Sequence, residues 1–103
     1  MRVEITARHF EAPSALKRHA EEEVQRLTKF YDGIVDCEII LEHESNGETA
    51  EVRVRVYGRN LVAKDTSSDM GKSVDGAVEK LRRQIKRYKR KLRGFSSDET
   101  VRH

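Results

Sequence analysis

The chain has 103 residues, 36% hydrophobic and 38% charged, which fills one thin core and excludes a second independent one. No run approaches the roughly 18 apolar residues that cross a bilayer, and the opening MRVEITARHF lacks the apolar block of a signal peptide. The single Cys37 has no partner for an intramolecular disulfide, so a cytoplasmic protein is expected.

RVEITAR, residues 2–8, places Val3, Ile5 and Ala7 on one side and charged or polar groups on the other, the alternation of a half-buried strand. The stretch EAPSALKRHAEEEVQRLTKFYDG reads as a helix, with Pro13 at its first position, where a missing N–H costs nothing. Leu16, Ala20, Val24, Leu27 and Tyr31 form its apolar stripe, and Asp32-Gly33 supplies a stop through positive φ at Gly33. IVDCEIILEHE puts Val35, Cys37, Ile39, Leu41 and His43 on the inward face of a second strand. Asn46-Gly47 in SNGE signals a type I′ hairpin turn. The third strand directs Ala50, Val52, Val54 and Val56 inward, with Glu51, Arg53, Arg55 and Tyr57 outward. After Gly58, NLVAKDT gives a shorter strand with Leu61 and Ala63 inward. Asp69 is placed to cap the last helix, whose apolar line runs Met70, Val74, Val78, Leu81, Ile85, Tyr88, Leu92.

The order β-α-β-β-β-α predicts an α+β two-layer sandwich. A crossover helix makes strands one and two parallel, and tight turns make the others antiparallel, giving a four-stranded mixed sheet. Each helix has one apolar stripe, so both are expected on one sheet face. The domain is drawn over residues 1–93, and GFSSDETVRH, residues 94–103, has no period and is expected to be a disordered tail.

An enzymatic reading has no residues to stand on. Histidines 9, 19, 43 and 103 show no metal-ligand spacing with one another or with Cys37, so neither a metal nor a cofactor is expected. Cys37 and His43 share the inward phase of a strand, where packing is the simpler role. No phosphate-cradling glycine loop occurs, and Glu21-Glu22-Glu23 lies on the solvent side of a helix. A non-enzymatic protein is expected.

Charge is the stronger signal. The net charge is +3, yet residues 80–93 hold nine Lys and Arg and no acid, leaving −6 for the rest of the chain. At 100° per residue, Arg83, Arg87 and Arg90 lie opposite the apolar stripe, with Lys80 and Lys86 beside them. Arg82, Lys89 and Arg93 occupy one flank and Lys91 the other. An ordinary solvated face mixes signs, whereas like charges at i,i+4 oppose each other by a few tenths of a kcal/mol. The helix dipole favours cations only in the final turn. These nine residues are therefore assigned to a polyanion. A membrane surface would need the apolar face that the sheet requires, and DNA-groove reading usually involves Asn or Gln among the basic residues. Structured RNA fits better, contacted through phosphates by Lys80, Arg82, Arg83, Lys86, Arg87, Lys89, Arg90, Lys91 and Arg93. Arg53, Arg55 and Tyr57 are either further contacts or a sheet face turned to water.

DMGKSVDGAVEKLRRQIKRYKRKL resembles the last helix of the ribosome hibernation promoting factors, a family also labelled ribosome-associated inhibitor or sigma-54 modulation protein. The family pattern is D-M-Y, two small residues, I-D, then K-L-x-R-Q-L-x-K-x-K. Asp69, Met70, Asp75, Lys80, Leu81, Arg83, Gln84, Arg87 and Lys89 fall on it. VEITARHFEAPSALKRHAEEEVQRLTKFYD resembles the family's opening strand and helix. Gly71 replaces an aromatic residue and Lys72 a small one, and the loop at Asn46-Gly47 is tighter than the family's. Glycine in the first turn costs up to about 1 kcal/mol of helix propensity.

The resemblance implies a fold similar to double-stranded RNA-binding domains. It also implies binding to rRNA in the small-subunit channel for messenger and transfer RNA, with translation inhibited in stationary phase or stress. It implies the short form, monomeric off the ribosome, although a truncated long form would read identically. Two other readings stay open: a generic structured-RNA module, and a regulator that docks its basic helix on an acidic protein.

Overall fold

The computed structural model describes the backbone of residues 2–101 and the side chains of residues 2–92. The elements are β1 (Arg2–Arg8), α1 (Ser14–Phe30), β2 (Ile34–Glu44), β3 (Gly47–Val56), β4 (Arg59–Ser67) and α2 (Met70–Val101). They form one sheet in the order β1-β2-β3-β4. β1 runs parallel to β2 with Ile5 opposite Ile39, and the other neighbours are antiparallel. Both helices lie on the same face, as the single apolar stripes require. Leu27 and Val24 of α1 meet Ile39, Leu41, Val52 and Val54 of the sheet and Val74, Leu81 and Ile85 of α2 in one cluster. Burying a Leu or Ile side chain of this kind is worth about 1.5–3 kcal/mol, so a thin core of such residues suffices.

Several local features differ from the pattern reading. Pro13 is the N-cap rather than the first helical residue, with φ −60 and ψ 151, and its carbonyl accepts the Lys17 N–H at 3.1 Å. α1 ends because Tyr31 turns extended (φ −151), not through positive φ at Gly33. A Cβ at Gly33 would strike the Tyr31 ring, so close approach is what glycine permits there. The β2–β3 turn centres on Ser45 and Asn46, since Glu44 pairs with Gly47. Gly47 takes the positive φ of 140, and no non-glycine residue in the turn has one, so the turn is not type I′.

The inward phase of β2 is interrupted once. The register shifts between Ile34 and Asp36, and Val35, expected inside, is 51% exposed while Ile34 is buried. A bulge inserts one residue, which sends a period-two pattern to the wrong face. At the other end, His43 is exposed rather than inward, with its ring 4.1 Å from that of Phe10 and Nδ1 on Glu48. Val3 and Ile5 pack against the core but stay half-buried because β1 is an edge strand, and Leu16 of α1 is half-buried as well. Leu92 closes the predicted apolar line of α2 yet is 43% exposed. Helical backbone continues to Val101, past the domain boundary drawn at residue 93. The tail expected over residues 94–103 falls outside the described side chains.

Candidate nucleic-acid interface

α2 starts where expected. The Asp69 side chain accepts the Lys72 N–H at 3.0 Å, and the Asp69 carbonyl accepts that of Ser73 at 3.0 Å. This cap offsets the weak propensity of Gly71 in the first turn. Val74, Leu81, Ile85 and Tyr88 are buried along one side, which fixes the rotation of the helix and turns the opposite side to water.

The nine basic residues then separate by their surroundings. Lys80 faces the edge of β4, where its Nζ donates to the Lys64 carbonyl at 2.9 Å and pairs with Asp65 at 3.0 Å. Gln84, one turn on, donates to the Val62 carbonyl at 2.8 Å. Together they satisfy two carbonyls on the outer edge of a strand that would otherwise be open to pairing. On the opposite flank, Arg82 lies over the Phe30 ring at 5.0 Å and pairs with Glu79 at 3.6 Å. Lys89 donates to the Phe30 carbonyl at 3.2 Å and sits 4.6 Å from the same ring. These two stitch α2 to the end of α1. Arg83 reaches Glu79 at 3.8 Å.

Lys86, Arg87, Arg90 and Lys91 are exposed and, among the described residues, make no ion pair and no side-chain hydrogen bond. The side chain of Arg93 lies outside the described residues. The structure thus brings together a ridge of four unengaged cations, with Arg83 at its N-terminal end and the structural cations Lys80, Arg82 and Lys89 on its flanks. No acidic residue follows Glu79 before residue 98, so the ridge cations from Lys86 to Lys91 have no acid interspersed among them.

The outer sheet face is different in kind. Arg55 donates through Nε and Nη2 to Asp36 at 3.2 and 2.7 Å, Arg53 pairs with Glu51 at 2.6 Å, and Arg8 meets Glu42 at 3.4 Å. The hydrogen bond to Glu51 pushes the guanidinium pKa of Arg53 up, and that to Asp36 does the same for Arg55. The Arg55–Asp36 and Arg8–Glu42 pairs are cross-strand and the Arg53–Glu51 pair lies along β3; such pairs of opposite sign stabilise a sheet and leave little net field. Of the outer trio singled out in the sequence, Arg53 and Arg55 are consumed this way and only Tyr57 is unengaged in side chain.

Pattern reading missed Arg59. It opens β4 with its guanidinium 5.9 Å from the ring of Tyr88, which lies between Arg87 and Arg90 along α2. Its one sequence signal was a cation directly after the Tyr57-Gly58 turn. His19, Glu23 and Asp75 also converge, with ligand atoms within 4.8 Å of one another. Their present contacts account for them: His19 Nε2 is 2.6 Å from Asp75, and Glu23 pairs with Arg26 at 3.1 Å.

Comparison with known proteins finds matches along nearly the whole domain. Residues 3–93 match the family described as sigma 54 modulation protein / S30EA ribosomal protein. The chain is 29% identical over 101 residues to ribosome-associated factor Y of Haemophilus influenzae, covering 98% of this chain and 94% of that protein. It is 28% identical over 93 residues to the ribosome hibernation promoting factor of Escherichia coli, covering 90% and 98% respectively. A solved ribosomal subunit interface protein from Coxiella burnetii superposes with a TM-score of 0.81 at 27% identity, over 86% of this chain and 98% of that one.

Proposed function

The chain belongs to the sigma 54 modulation protein / S30EA ribosomal protein family, and from that premise we propose that it is a cytoplasmic ribosome hibernation factor. It binds rRNA of the small subunit in the channel used by messenger and transfer RNA, and by occupying that channel inhibits translation in stationary phase or stress. The names of its relatives support association with the ribosome.

One observation carries the finer reading: Lys86, Arg87, Arg90 and Lys91 stand exposed without ion pairs among the described residues, on a helix whose other side is locked into the core. Such a ridge contributes cations at fixed spacing without having to order itself on binding, and phosphate is the anion that recurs at comparable spacing along RNA. Sedimentation with purified small subunits, with and without the Arg83→Gln, Arg87→Gln and Arg90→Gln substitutions together, tests this. Co-sedimentation and translation inhibition by the unaltered protein, both weakened in the variant, are the expected result. Unchanged inhibition by the variant at equal concentration would refute the ridge. Association that survives removal of accessible rRNA by ribonuclease would identify an acidic protein as the partner instead.

A further inference from the structure

Tyr57 is 88% exposed, well above Val35, Val62 and Leu92, the other exposed large apolar residues among those described. It occupies the two-residue turn between β3 and β4, closed by the Val56–Arg59 pair, with Gly58 at φ 75. Position 57 itself needs no aromatic ring: with positive φ confined to Gly58, the turn sets no side-chain requirement at its first central residue. The turn is also held in place. Tyr88, only 6% exposed, donates its hydroxyl to the Tyr57 carbonyl at 2.7 Å, and the Arg59 guanidinium lies against the Tyr88 ring. A buried residue of α2 therefore fixes the backbone that carries Tyr57, at the level of the ridge between Arg87 and Lys91.

The surroundings of the ring are polar and basic. The shallow hollow beside it is lined by Val35, Arg55, Arg59 and Asn60, with Val35 its one other exposed apolar side chain. That is too little apolar surface for a protein anchor, which is usually ringed by further contacts that exclude water. A nucleobase needs less: one planar face, and cations nearby for the phosphates on either side. Arg59 supplies one cation at the turn, and the α2 segment that carries Tyr88 supplies Arg87, Arg90 and Lys91 within one helical turn of it.

Resting on the RNA reading above, we propose that Tyr57 is a stacking platform for an unpaired base of the RNA whose phosphates the α2 ridge contacts. The domain then engages a junction, with backbone along α2 and a splayed-out base at the β3–β4 turn. Such a junction occurs where a structured RNA opens into a single strand.

Fluorescence anisotropy with two labelled RNAs tests the assignment: a single strand of about 12 nucleotides and a blunt duplex of about 16 base pairs. Tyr57→Ala should weaken single-strand binding about tenfold and leave duplex binding unchanged. Tyr57→Phe, which keeps the ring face, should bind both like the unaltered protein. Equal affinity of Tyr57→Ala for the single strand, equal losses on both probes, or a Phe variant as weak as the Ala variant would each overturn the proposal. So would a Tyr57→Ala variant that loses ribosome binding while keeping single-strand binding, since a protein would then be what the ring meets. The ridge variant separates the two readings: it should weaken both probes. If it weakens neither, the RNA ridge fails, whereas the Tyr57→Ala difference between probes still reports stacking by itself.

Discussion

Cys37 is 3% exposed on the inner face of β2, and burial, aided by the neighbouring charges of Asp36 and Glu38, pushes its thiol pKa up to about 12. The neutral thiol is thus the form the fold holds. Because the folded value lies above the ordinary value of about 8.5, this contribution to stability is fully present below about pH 8.5 and is lost as pH rises toward 12. Two outcomes are expected. Iodoacetamide at pH 8 should label the unfolded chain and leave the native one almost untouched, and Cys37→Val should lose stability less steeply than the unaltered protein above pH 9. Rapid labelling of the native protein would mean that β2 presents its other face. Lys80 illustrates a second point at this scale. Its side chain is half exposed and hydrogen-bonded at the β4 edge, so Lys80→Met should cost no more than about 1 kcal/mol in chemical denaturation. It should also weaken small-subunit binding less than Arg87→Gln or Arg90→Gln, whose parent side chains have no internal partner among the described residues. A larger binding loss for Lys80 would show that the β4 contact breaks when RNA is met.

Each element is defined by which of its faces is used. α2 buries Leu81 and Ile85 completely, and Leu81→Ala should lower stability by about 2–5 kcal/mol, the usual range for a buried Leu truncation. Leu92 has the same spacing but reaches beyond the tightly packed region, so Leu92→Ala should shift stability by less than about 1 kcal/mol. Equal denaturation midpoints for the two variants would mean that the rotation of α2 is wrong. The ridge substitutions Arg83→Gln, Arg87→Gln and Arg90→Gln should keep or slightly raise the midpoint, since Gln is a good helix former and like-charge repulsion falls. β2 follows the same logic with one interruption: beyond the bulge its phase inverts, and Ile34 takes the buried place that alternation gives to Val35.

For the molecule as a whole, the sheet divides two kinds of charge. On its outer face Arg8 and Arg55 are matched across strands by Glu42 and Asp36, and Arg53 along its own strand by Glu51, whereas Lys86, Arg87, Arg90 and Lys91 on the ridge of α2 have no such partner among the described residues. Binding through the four unengaged ridge cations should release counterions, giving a loss of roughly a hundredfold in small-subunit affinity between 50 and 200 mM salt. A flat salt dependence would point to an apolar contact and away from phosphate. Loss of Arg53 or Arg55 should alter this slope little, because each already has a carboxylate partner.

Local pattern was enough for the order of elements, the mixed sheet, the two helices on one face and the basic character of α2. Periods of two and 3.6 residues state directly which side chains must leave water, and a charge run needs no fold to be counted. The tertiary structure decided matters that depend on what lies across a gap. The β2 bulge and the negative φ of Ser45 and Asn46 come from pairing with β3, to which a single strand's alternation is blind. Helical spacing places the nine cations around α2 but not their partners: Lys80 meets a β4 carbonyl, Lys89 meets the end of α1, and Lys86, Arg87, Arg90 and Lys91 meet nothing described. Arg59 and Tyr57, remote from the basic run in sequence, are brought to Tyr88 within that run, whose hydroxyl holds the Tyr57 carbonyl and whose ring faces Arg59. Burial of an apolar stripe is a property of one segment and is written along it; the engagement of a charge belongs to two segments and exists only once they are packed.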